Sequence, residues 1–192
     1  MTTEQEQTTA RLLELALERN AIRYGDFTLS SGRKSTYYFD GRLLSLDPEG
    51  AHLIGKAILP VLNDAGVAAI GGPTLGADPI VAAVAMASWQ HGTPLPAFIV
   101  RKEAKEHGTA QLLEGPIPPP GTSVAIVDDA CTTGGSLFHA IAAAEGAGCT
   151  VALVMAVLDR NEGGSDTIRL RGYRFASLLA AGTDGSIRPS GE

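Results

Sequence analysis

The apolar residues of this chain follow two spacings that alternate along its length. Helical spacing of the apolar residues predicts a helix over residues 8–19. Asp47-Pro48 and Asp78-Pro79 each place an N-cap before a proline at the first helical position, and they predict helices over residues 47–62 and 78–92. Short runs rich in β-branched residues predict strands over residues 67–70, 97–100, 124–127, 151–158 and 175–179, the last of them at an edge of the sheet. Helices and strands in this order are typical of an α/β fold, with a central, mainly parallel sheet flanked by helices.

Two segments interrupt the alternation. Residues 27–42 are rich in glycine, serine and aromatic residues, and they predict a hairpin that covers a site. Residues 101–115 form a polar loop between strands, of a length typical of lids and binding loops. The proline-rich residues 116–120 predict a stiff surface connection, and the polar residues after Gly182 predict a loose tail.

Composition and charge narrow the range of partners and compartments. The 192 residues carry a formal net charge of −6, which disfavours nucleic acid and anionic membranes as partners. Cys131 and Cys149 provide no disulfide framework, which favours a reducing compartment. The Cys131 side chain is expected to be a small filler of space and not a nucleophile. The longest apolar run, residues 79–89, is too short to cross a bilayer and predicts a buried helix. We expect a cytoplasmic protein with one domain over residues 1–192 and a small N-terminal hood at about residues 20–44.

Residues 124–136 are the most informative segment for function. The predicted strand is followed by Asp128 and Asp129, then by Thr-Thr-Gly-Gly-Ser and a predicted helix over residues 137–145. Ligands bind beyond the carboxyl ends of strands in open α/β sheets, and glycines before a helix let backbone N–H groups approach a phosphate. Carboxylates repel phosphate but suit ribose hydroxyls or a Mg²⁺ ion shared with substrate oxygens. The order predicts a site for a phosphorylated sugar; the alternative is an ordinary strand-to-helix turn with Ser136 as the helix N-cap.

Four basic residues cluster just after a predicted strand of this acidic chain: Arg101, Lys102, Lys105 and His107. The segment therefore begins at the same edge of the sheet as Asp128. A mobile cationic lid over a pyrophosphate fits that position, because closure excludes water and strengthens each charge interaction. The alternative is a solvated loop without a ligand.

Aromatic and basic residues near this edge are candidates for contacts with a flat, electron-poor base and with a carboxylate. Tyr38 and Phe39 are neighbours in a predicted strand, so they point to opposite faces; one would pack in the core and the other could stack on a base. Arg160 follows another predicted strand, and its planar guanidinium suits a ligand carboxylate. A surface salt bridge to Asp159 or Glu162 is the alternative for Arg160.

Residues 124–136 resemble the PRPP (5-phosphoribosyl 1-diphosphate) signature of type I phosphoribosyltransferases. Residues 27–34, 101–108 and 158–160 resemble the hood, the flexible catalytic loop and the base-binding strand end of the orotate phosphoribosyltransferase family. The resemblance implies transfer of the 5-phosphoribosyl group from PRPP to orotate, giving orotidine 5′-monophosphate and pyrophosphate, in pyrimidine biosynthesis with Mg²⁺. It also implies a homodimer in which each lid covers the neighbouring subunit's site. The alternatives are a phosphoribosyltransferase for another base and a PRPP-sensing regulator.

The same resemblance implies roles for single residues. Three are expected in catalysis: Lys105, Asp128 and Asp129. Four are expected to contact orotate, the arginine at its carboxylate: Tyr38, Phe39, Thr132 and Arg160. Mg²⁺ is expected to bind through the substrate near the two aspartates, without an assigned protein ligand. The expected PRPP contacts are Arg101, Lys102, Lys105, His107, Asp128, Asp129, Ala130, Cys131, Thr132, Thr133, Gly134, Gly135 and Ser136.

Two positions depart from the pattern of the family. Many relatives carry lysine where this chain has Ser30 and Leu75, so two cations that would face PRPP are missing. We therefore expect PRPP binding to depend strongly on Mg²⁺ and on closure of the lid. The resemblance also implies a cis peptide bond between Thr74 and Leu75, in a loop whose N–H groups face pyrophosphate.

Overall fold

The computed structural model describes residues 3–28, 32, 34–103 and 112–191. The helices in this part of the chain are α1 (Thr3–Glu18), α2 (Arg42–Ser45), α3 (Pro48–Ala65), α4 (Asp78–Gln90), α5 (Gly135–Gly146) and α6 (Gly164–Leu170). The strands are β1 (Ile22–Thr28), β2 (Lys34–Phe39), β3 (Ala69–Pro73), β4 (Ala97–Val100), β5 (Leu113–Glu114), β6 (Ser123–Cys131), β7 (Thr150–Asp159), β8 (Phe175–Ala181) and β9 (Ile187–Pro189).

Seven strands form the main sheet in the order β5-β4-β3-β6-β7-β8-β9. The five inner strands are parallel, and short antiparallel strands flank them at both edges. The predicted α/β fold with a mainly parallel sheet is confirmed. The prediction that residues 175–179 form an edge strand is wrong, because β9 pairs with β8 and takes the edge position. The polar tail is also more ordered than predicted, since β9 lies within it.

Helices cover both faces of the sheet. Consecutive residues of each strand point to opposite faces, so both sets of side chains are buried. In β6, Ala125 and Val127 pack in the core under α1, α3 and α4. Their neighbours Val124 and Ile126 pack in the core under α5 and α6. The apolar runs of the sequence are therefore continuous because the strands are covered twice, and the carboxyl ends of the strands form the uncovered edge.

The two Asp-Pro pairs do not start their helices in the same way. Asp47 caps α3 as predicted, and its side chain accepts hydrogen bonds from the N–H groups of Glu49 and Gly50. Asp78 instead lies inside α4 after Ala77, and its Oδ2 accepts a hydrogen bond from Thr74 Oγ1 at 2.9 Å. The aspartate is therefore tied to the loop before the helix.

Helix α4 contains the longest apolar run but is only half buried. Ile80, Val81 and Val84 face the core, whereas Met86 and Trp89 are exposed, so the prediction of a buried helix is wrong for its outer face. No helix in the described residues has the length and apolar character that a membrane crossing requires.

Strands β1 and β2 form a separate antiparallel hairpin, which we call the hood. It is held by the hairpin of β8 and β9: the backbone N–H of Ile187 donates to Tyr24 Oη at 3.1 Å. A Cβ atom at Gly185 would overlap the hydroxyl of Thr36, so the two hairpins touch at a point where only glycine fits. The predicted hairpin over residues 27–42 is confirmed in its second strand, but its first strand begins earlier, at Ile22.

Candidate active site

Strand β6 does not end where the sequence suggests. The prediction ends it at Val127, before the two acidic residues, but the strand continues to Cys131 because β7 continues beside it. Asp128 pairs with Ala156, and Cys131 pairs with Asp159. Asp128 and Asp129 therefore lie on a strand whose backbone is fixed by pairing and not on a loose turn.

Asp128 is buried and accepts two hydrogen bonds. Ser136 Oγ donates to its Oδ2 at 2.6 Å, and the backbone N–H of Asp129 donates to its Oδ1 at 2.9 Å. Burial, reinforced by the neighbouring negative charge of Asp129, raises the pKa of Asp128 to about 7. Asp128 is only 5% exposed, although it lies near the carboxyl end of the strand. Burial also raises the pKa of the partly buried Asp129.

The Thr-Thr-Gly-Gly-Ser segment leads from β6 into α5. Gly134 is the N-cap with a positive φ of 82°, a conformation that suits glycine, and the alternative with Ser136 as the N-cap is wrong. The carbonyl of Thr132 accepts a hydrogen bond from the N–H of Gly164 at 3.0 Å. A Cβ atom at Gly164 would come within 2.7 Å of the N atom of Gly134, so α6 packs directly under this loop. The first turn of α5 is exposed at Gly135, and free N–H groups at a helix N-terminus are suited to binding an anion.

Cys131 packs in the core beneath this loop and is fully buried. Burial raises the pKa of its thiol to about 12, with the carboxylates of Asp159 and Asp128 adding to the effect. The prediction that Cys131 is a small filler is confirmed by its packing.

A cavity of about 300 Å³ lies between the hood and the carboxyl ends of β3 and β6. Its lining includes six residues that the sequence analysis selected as site residues: Tyr38, Phe39, Lys102, Asp128, Asp129 and Ser136. The remaining lining residues are Asp40, Arg42, Pro73, Thr74, Leu75 and Gly76. The structure therefore brings together residues that lie nearly 100 positions apart in the sequence, from the hood, the loop after β3, the end of β4 and the end of β6.

The backbone packs closely against Asp128 and Asp129, the acidic pair, at two glycines. A Cβ atom at Gly41 would lie 2.6 Å from the Cβ atom of Asp129. A Cβ atom at Gly76 would lie 2.7 Å from Asp129 Oδ1 and 2.8 Å from Asp128 Oδ1. The carboxylates are thus flanked by two chain segments that cannot carry side chains there, and this restricts the directions from which a ligand reaches them.

The loop after β3 is fixed at its first residue, Thr74, by two hydrogen bonds. Thr74 donates its backbone N–H to the carbonyl of Val100 at 2.9 Å, and its hydroxyl donates to Asp78. The peptide bond between Thr74 and Leu75 is cis, as predicted. Leu75 is 62% exposed and lines the cavity without contributing a charge.

The basic segment after β4 is only partly within the described residues. Arg101 pairs with Glu114, Nη1 to Oε1 at 3.4 Å, and lines a neighbouring cavity of about 500 Å³ that shares Thr74 and Lys102 with the first. Its backbone carbonyl lies 2.8 Å from His139 Nε2 on α5. Lys105 and His107 lie outside the described residues, so their predicted lid role stays a prediction.

Arg160 is not part of the lining of the aspartate cavity. Its guanidinium lies over the ring of Tyr37, with 4.5 Å from Cζ to the ring centroid, and Nε donates to Glu162 Oε1 at 2.8 Å. Its Nη2 lies 3.4 Å from Ser35 Oγ, and together these residues line a separate cavity of about 340 Å³ on the other side of β2. The alternative pairing with Glu162 is therefore realised, but Arg160 is buried at 8% exposure and the pair is not a surface salt bridge. Its backbone N–H donates to the carbonyl of Cys131 at 2.9 Å, so its Cα stays next to the segment at residues 132–136.

The burial of the aromatic residues of β2 differs from the prediction. Tyr37 is the buried residue of the three, at 5% exposure, whereas Tyr38 and Phe39 are both partly exposed and line the aspartate cavity. Phe39 also packs against the core, as one member of the pair was expected to do. Tyr38 packs beside Phe27, with ring centroids 5.8 Å apart.

Sequence reasoning missed two charged residues of the cavity, Asp40 and Arg42. Both oxygens of Asp40 accept hydrogen bonds from Arg42, from Nε and from Nη2, each at 2.8 Å. Their position directly after the aromatic residues of β2 could have marked them as candidates. The sequence does not show, however, that Gly41 packs against Asp129 and brings them to the cavity.

Comparison with known proteins identifies the family. No protein-family model matches the chain. The chain is 45% identical to the orotate phosphoribosyltransferase of Synechocystis sp., over 86% of this chain and 83% of that protein. The chain belongs to the orotate phosphoribosyltransferase family.

Solved structures of this family have the same fold. The orotate phosphoribosyltransferase of Mycobacterium tuberculosis, in complex with Fe(III) dicitrate, superposes with a TM-score of 0.78 at 38% identity, over 90% of this chain and 96% of that chain. A structure of the Mycobacterium tuberculosis enzyme with PRPP superposes with a TM-score of 0.75 at 36% identity, over the same shares of both chains. The solved structures of this family therefore share the fold of about nine tenths of this chain.

Proposed function

We propose that the cavity between the hood and the ends of β3 and β6 binds PRPP, and that the enzyme transfers its 5-phosphoribosyl group to orotate there. The observation that carries the proposal is the position of Asp128 and Asp129. They lie on a fixed strand, inside a cavity, beside the first turn of α5. The products are orotidine 5′-monophosphate and pyrophosphate, and the reaction belongs to pyrimidine biosynthesis.

Two groups of residues are suited to different parts of PRPP: the phosphate loop (residues 132–136) and the acidic pair (Asp128 and Asp129). The 5′-phosphate fits the N–H groups of residues 132–136, because the first turn of α5 has donors without partners inside the helix. The ribose hydroxyls fit Asp128 and Asp129, since a carboxylate accepts hydrogen bonds from two neighbouring hydroxyls. Ser136, which now donates to Asp128, lies where it can reach either group.

The carboxylates also fit a role beside Mg²⁺. Mg²⁺ in proteins is typically held by one or two carboxylates together with substrate phosphates and water. Asp129, partly exposed in the cavity, is the better placed of the two to contact such an ion. When bound, Mg²⁺ neutralises charge on the departing pyrophosphate.

The base is expected on the hood side of the cavity. Tyr38 and Phe39 supply apolar surface, while Thr132 and Arg160 supply polar contacts. For Arg160 to meet the carboxylate of orotate, its guanidinium must share or leave its contact with Glu162. The bond from the anomeric carbon to pyrophosphate breaks as the orotate nitrogen attacks, and positive charge develops on the ribose ring.

The lid and the dimer complete the proposal. Arg101 and Lys102 begin the basic segment beside the cavity, and Lys105 and His107 follow in sequence. A homodimer in which each lid covers the neighbouring site would supply the cations that the cavity lacks. We place the enzyme in the cytoplasm, because both cysteines are free and buried, as suits a reducing compartment.

One assay tests the proposal. The ultraviolet absorbance of orotate should fall when the protein, PRPP and Mg²⁺ are combined, and uracil, hypoxanthine and adenine should not be consumed. Arg160→Ala should raise KM for orotate much more than KM for PRPP. Equal losses for both substrates would contradict the carboxylate contact, and consumption of another base in preference to orotate would contradict the proposed function.

A further inference from the structure

We propose that Arg42 binds the diphosphate of PRPP, with its guanidinium oriented by Asp40. The inference rests on the proposed function, since it assigns a residue to the same substrate. It concerns the part of PRPP that leaves as pyrophosphate. The phosphate loop takes the 5′-phosphate, and the acidic pair takes the ribose.

Arg42 is placed in the cavity by the backbone before it. Gly41 packs against Asp129 so closely that a side chain at position 41 would overlap the carboxylate. The next residue, at the start of α2, therefore stands beside the acidic pair. Arg42 lines the same cavity as Thr74, Leu75 and Lys102.

The charges of the cavity show why a cation is needed there. Among its described lining residues, Asp40, Asp128 and Asp129 are acidic, and Arg42 and Lys102 are basic. A diphosphate carries several negative charges, and the exposed Leu75 beside it carries none. Arg42 and Lys102 are thus the described side chains of this cavity that can attract the diphosphate directly.

The guanidinium is already oriented for a second anion. Its Nε and Nη2 donate to the two oxygens of Asp40, so one edge of the fork is occupied. Within the described part of the chain, Nη1 has no hydrogen-bond partner, and its edge of the guanidinium remains available. The Arg42 side chain is 51% exposed, while that of Asp40 is 18% exposed. An arginine held on one edge loses little further freedom when its other edge binds a phosphate in two-point contact.

The competing explanation is a surface salt bridge without a ligand. A pair of this kind contributes little to stability. The chain contains a matched case outside the cavity: Arg19 Nε donates to Asp47 Oδ2 at 2.8 Å, with side chains 46% and 14% exposed. Arg19→Gln is therefore a control that removes an equivalent ion pair.

The experiment compares Arg42→Gln, Arg42→Lys and Arg19→Gln at saturating Mg²⁺. We expect Arg42→Gln to raise KM for PRPP at least about tenfold, with KM for orotate nearly unchanged, and to weaken inhibition by pyrophosphate to a similar extent. Arg42→Lys should give an intermediate loss, because lysine keeps the charge but not the two-point geometry. Arg19→Gln should behave like the unmodified enzyme in all three measurements.

Calorimetric binding separates the diphosphate from the rest of the substrate. PRPP and pyrophosphate should bind Arg42→Gln more weakly, while ribose 5-phosphate should bind it as it binds the unmodified protein. Equal weakening of ribose 5-phosphate, or an unchanged PRPP affinity in both Arg42 variants, would overturn the inference. If Arg42→Gln does not fold, Arg42→Lys alone decides. An unmodified protein that does not consume orotate would refute the proposed function, whereas an active enzyme with a normal Arg42→Gln variant would refute this inference alone.

Discussion

Asp128→Asn should make the protein more stable at pH 8 while impairing its use of PRPP. Asp128 is buried at the end of β6, and its pKa is raised to about 7 from the ordinary value of 3.8. The folded protein therefore holds this proton more tightly than the unfolded chain does. Below about pH 4 both states are protonated, and Asp128 imposes no penalty on folding. Between about pH 4 and pH 7 the unfolded chain ionises while the folded state stays protonated, so stability falls as the pH rises, and the loss is complete above about pH 7.

The size of the effect follows from the two pKa values. Each pKa unit corresponds to about 1.4 kcal/mol, so the ionised carboxylate destabilises the fold by up to about 4 kcal/mol above pH 7. Asparagine removes this penalty, but one of the donors from Ser136 and Asp129 then faces an NH₂ group, which costs about 1 kcal/mol. The net gain at pH 8 is about 2–3 kcal/mol. For a protein of this size that raises Tm by on the order of 5–10 °C.

Chemical unfolding at pH 4, 6 and 8 measures the prediction. The difference in the free energy of unfolding between Asp128→Asn and the unmodified protein should grow steadily with pH. Asp64→Asn removes an exposed carboxylate that pairs with Arg174, and its effect should stay below about 0.5 kcal/mol at every pH. A variant that is less stable than the unmodified protein at pH 8, or a difference that does not change with pH, would refute the reasoning.

Further predictions concern the lid, the missing lysines and the cysteine. Hybrid dimers of Lys105→Ala and Asp129→Ala subunits should regain activity that neither variant has alone, because one site escapes both defects; no recovery in proven hybrids would contradict a lid that serves its neighbour. Lysine at Ser30 or Leu75 should lower KM for PRPP at limiting Mg²⁺, and an unchanged metal dependence in both folded variants would show that charge at these positions has no effect. Iodoacetamide should not label Cys131 in the folded protein at pH 8, since burial raises its pKa to about 12, and mass spectrometry would reveal rapid labelling if this is wrong.

The fold could be predicted largely because its strands are covered on both faces. Runs such as Val124 to Val127 are apolar throughout, and such runs distinguish a buried parallel strand from a half-exposed one. The ends of the strands were less predictable. Polar residues after Val127 suggest a turn, but pairing with β7 carries the strand through Asp128 to Cys131. Strand β9 was missed for the same reason, since its pairing partner β8 lies elsewhere in the sequence.

The candidate site was predictable where chemistry follows directly from local order. Asp128, Asp129 and Ser136 are close in sequence, and their cavity contains them as expected. Arg42 was not predictable, because its relevance depends on Gly41 packing against a strand nearly 90 residues away. The side chain of Arg160 was placed on the correct strand end, but its preference for Tyr37 and Glu162 depends on how the hood folds over it.

The contact between the hood and the hairpin of β8 and β9 has a consequence for how the protein is made. Tyr24 and Thr36 leave the ribosome long before the groups that hold them, at Gly185 and Ile187, are synthesised. Chains are made at roughly 5–20 residues per second, so the phosphate loop exists for several seconds before the hood has its support. A chain broken off after α6 would keep the phosphate loop but lack the support that fixes the roof of the cavity. The cavity therefore gains the support of its roof only after β8 and β9 have been synthesised.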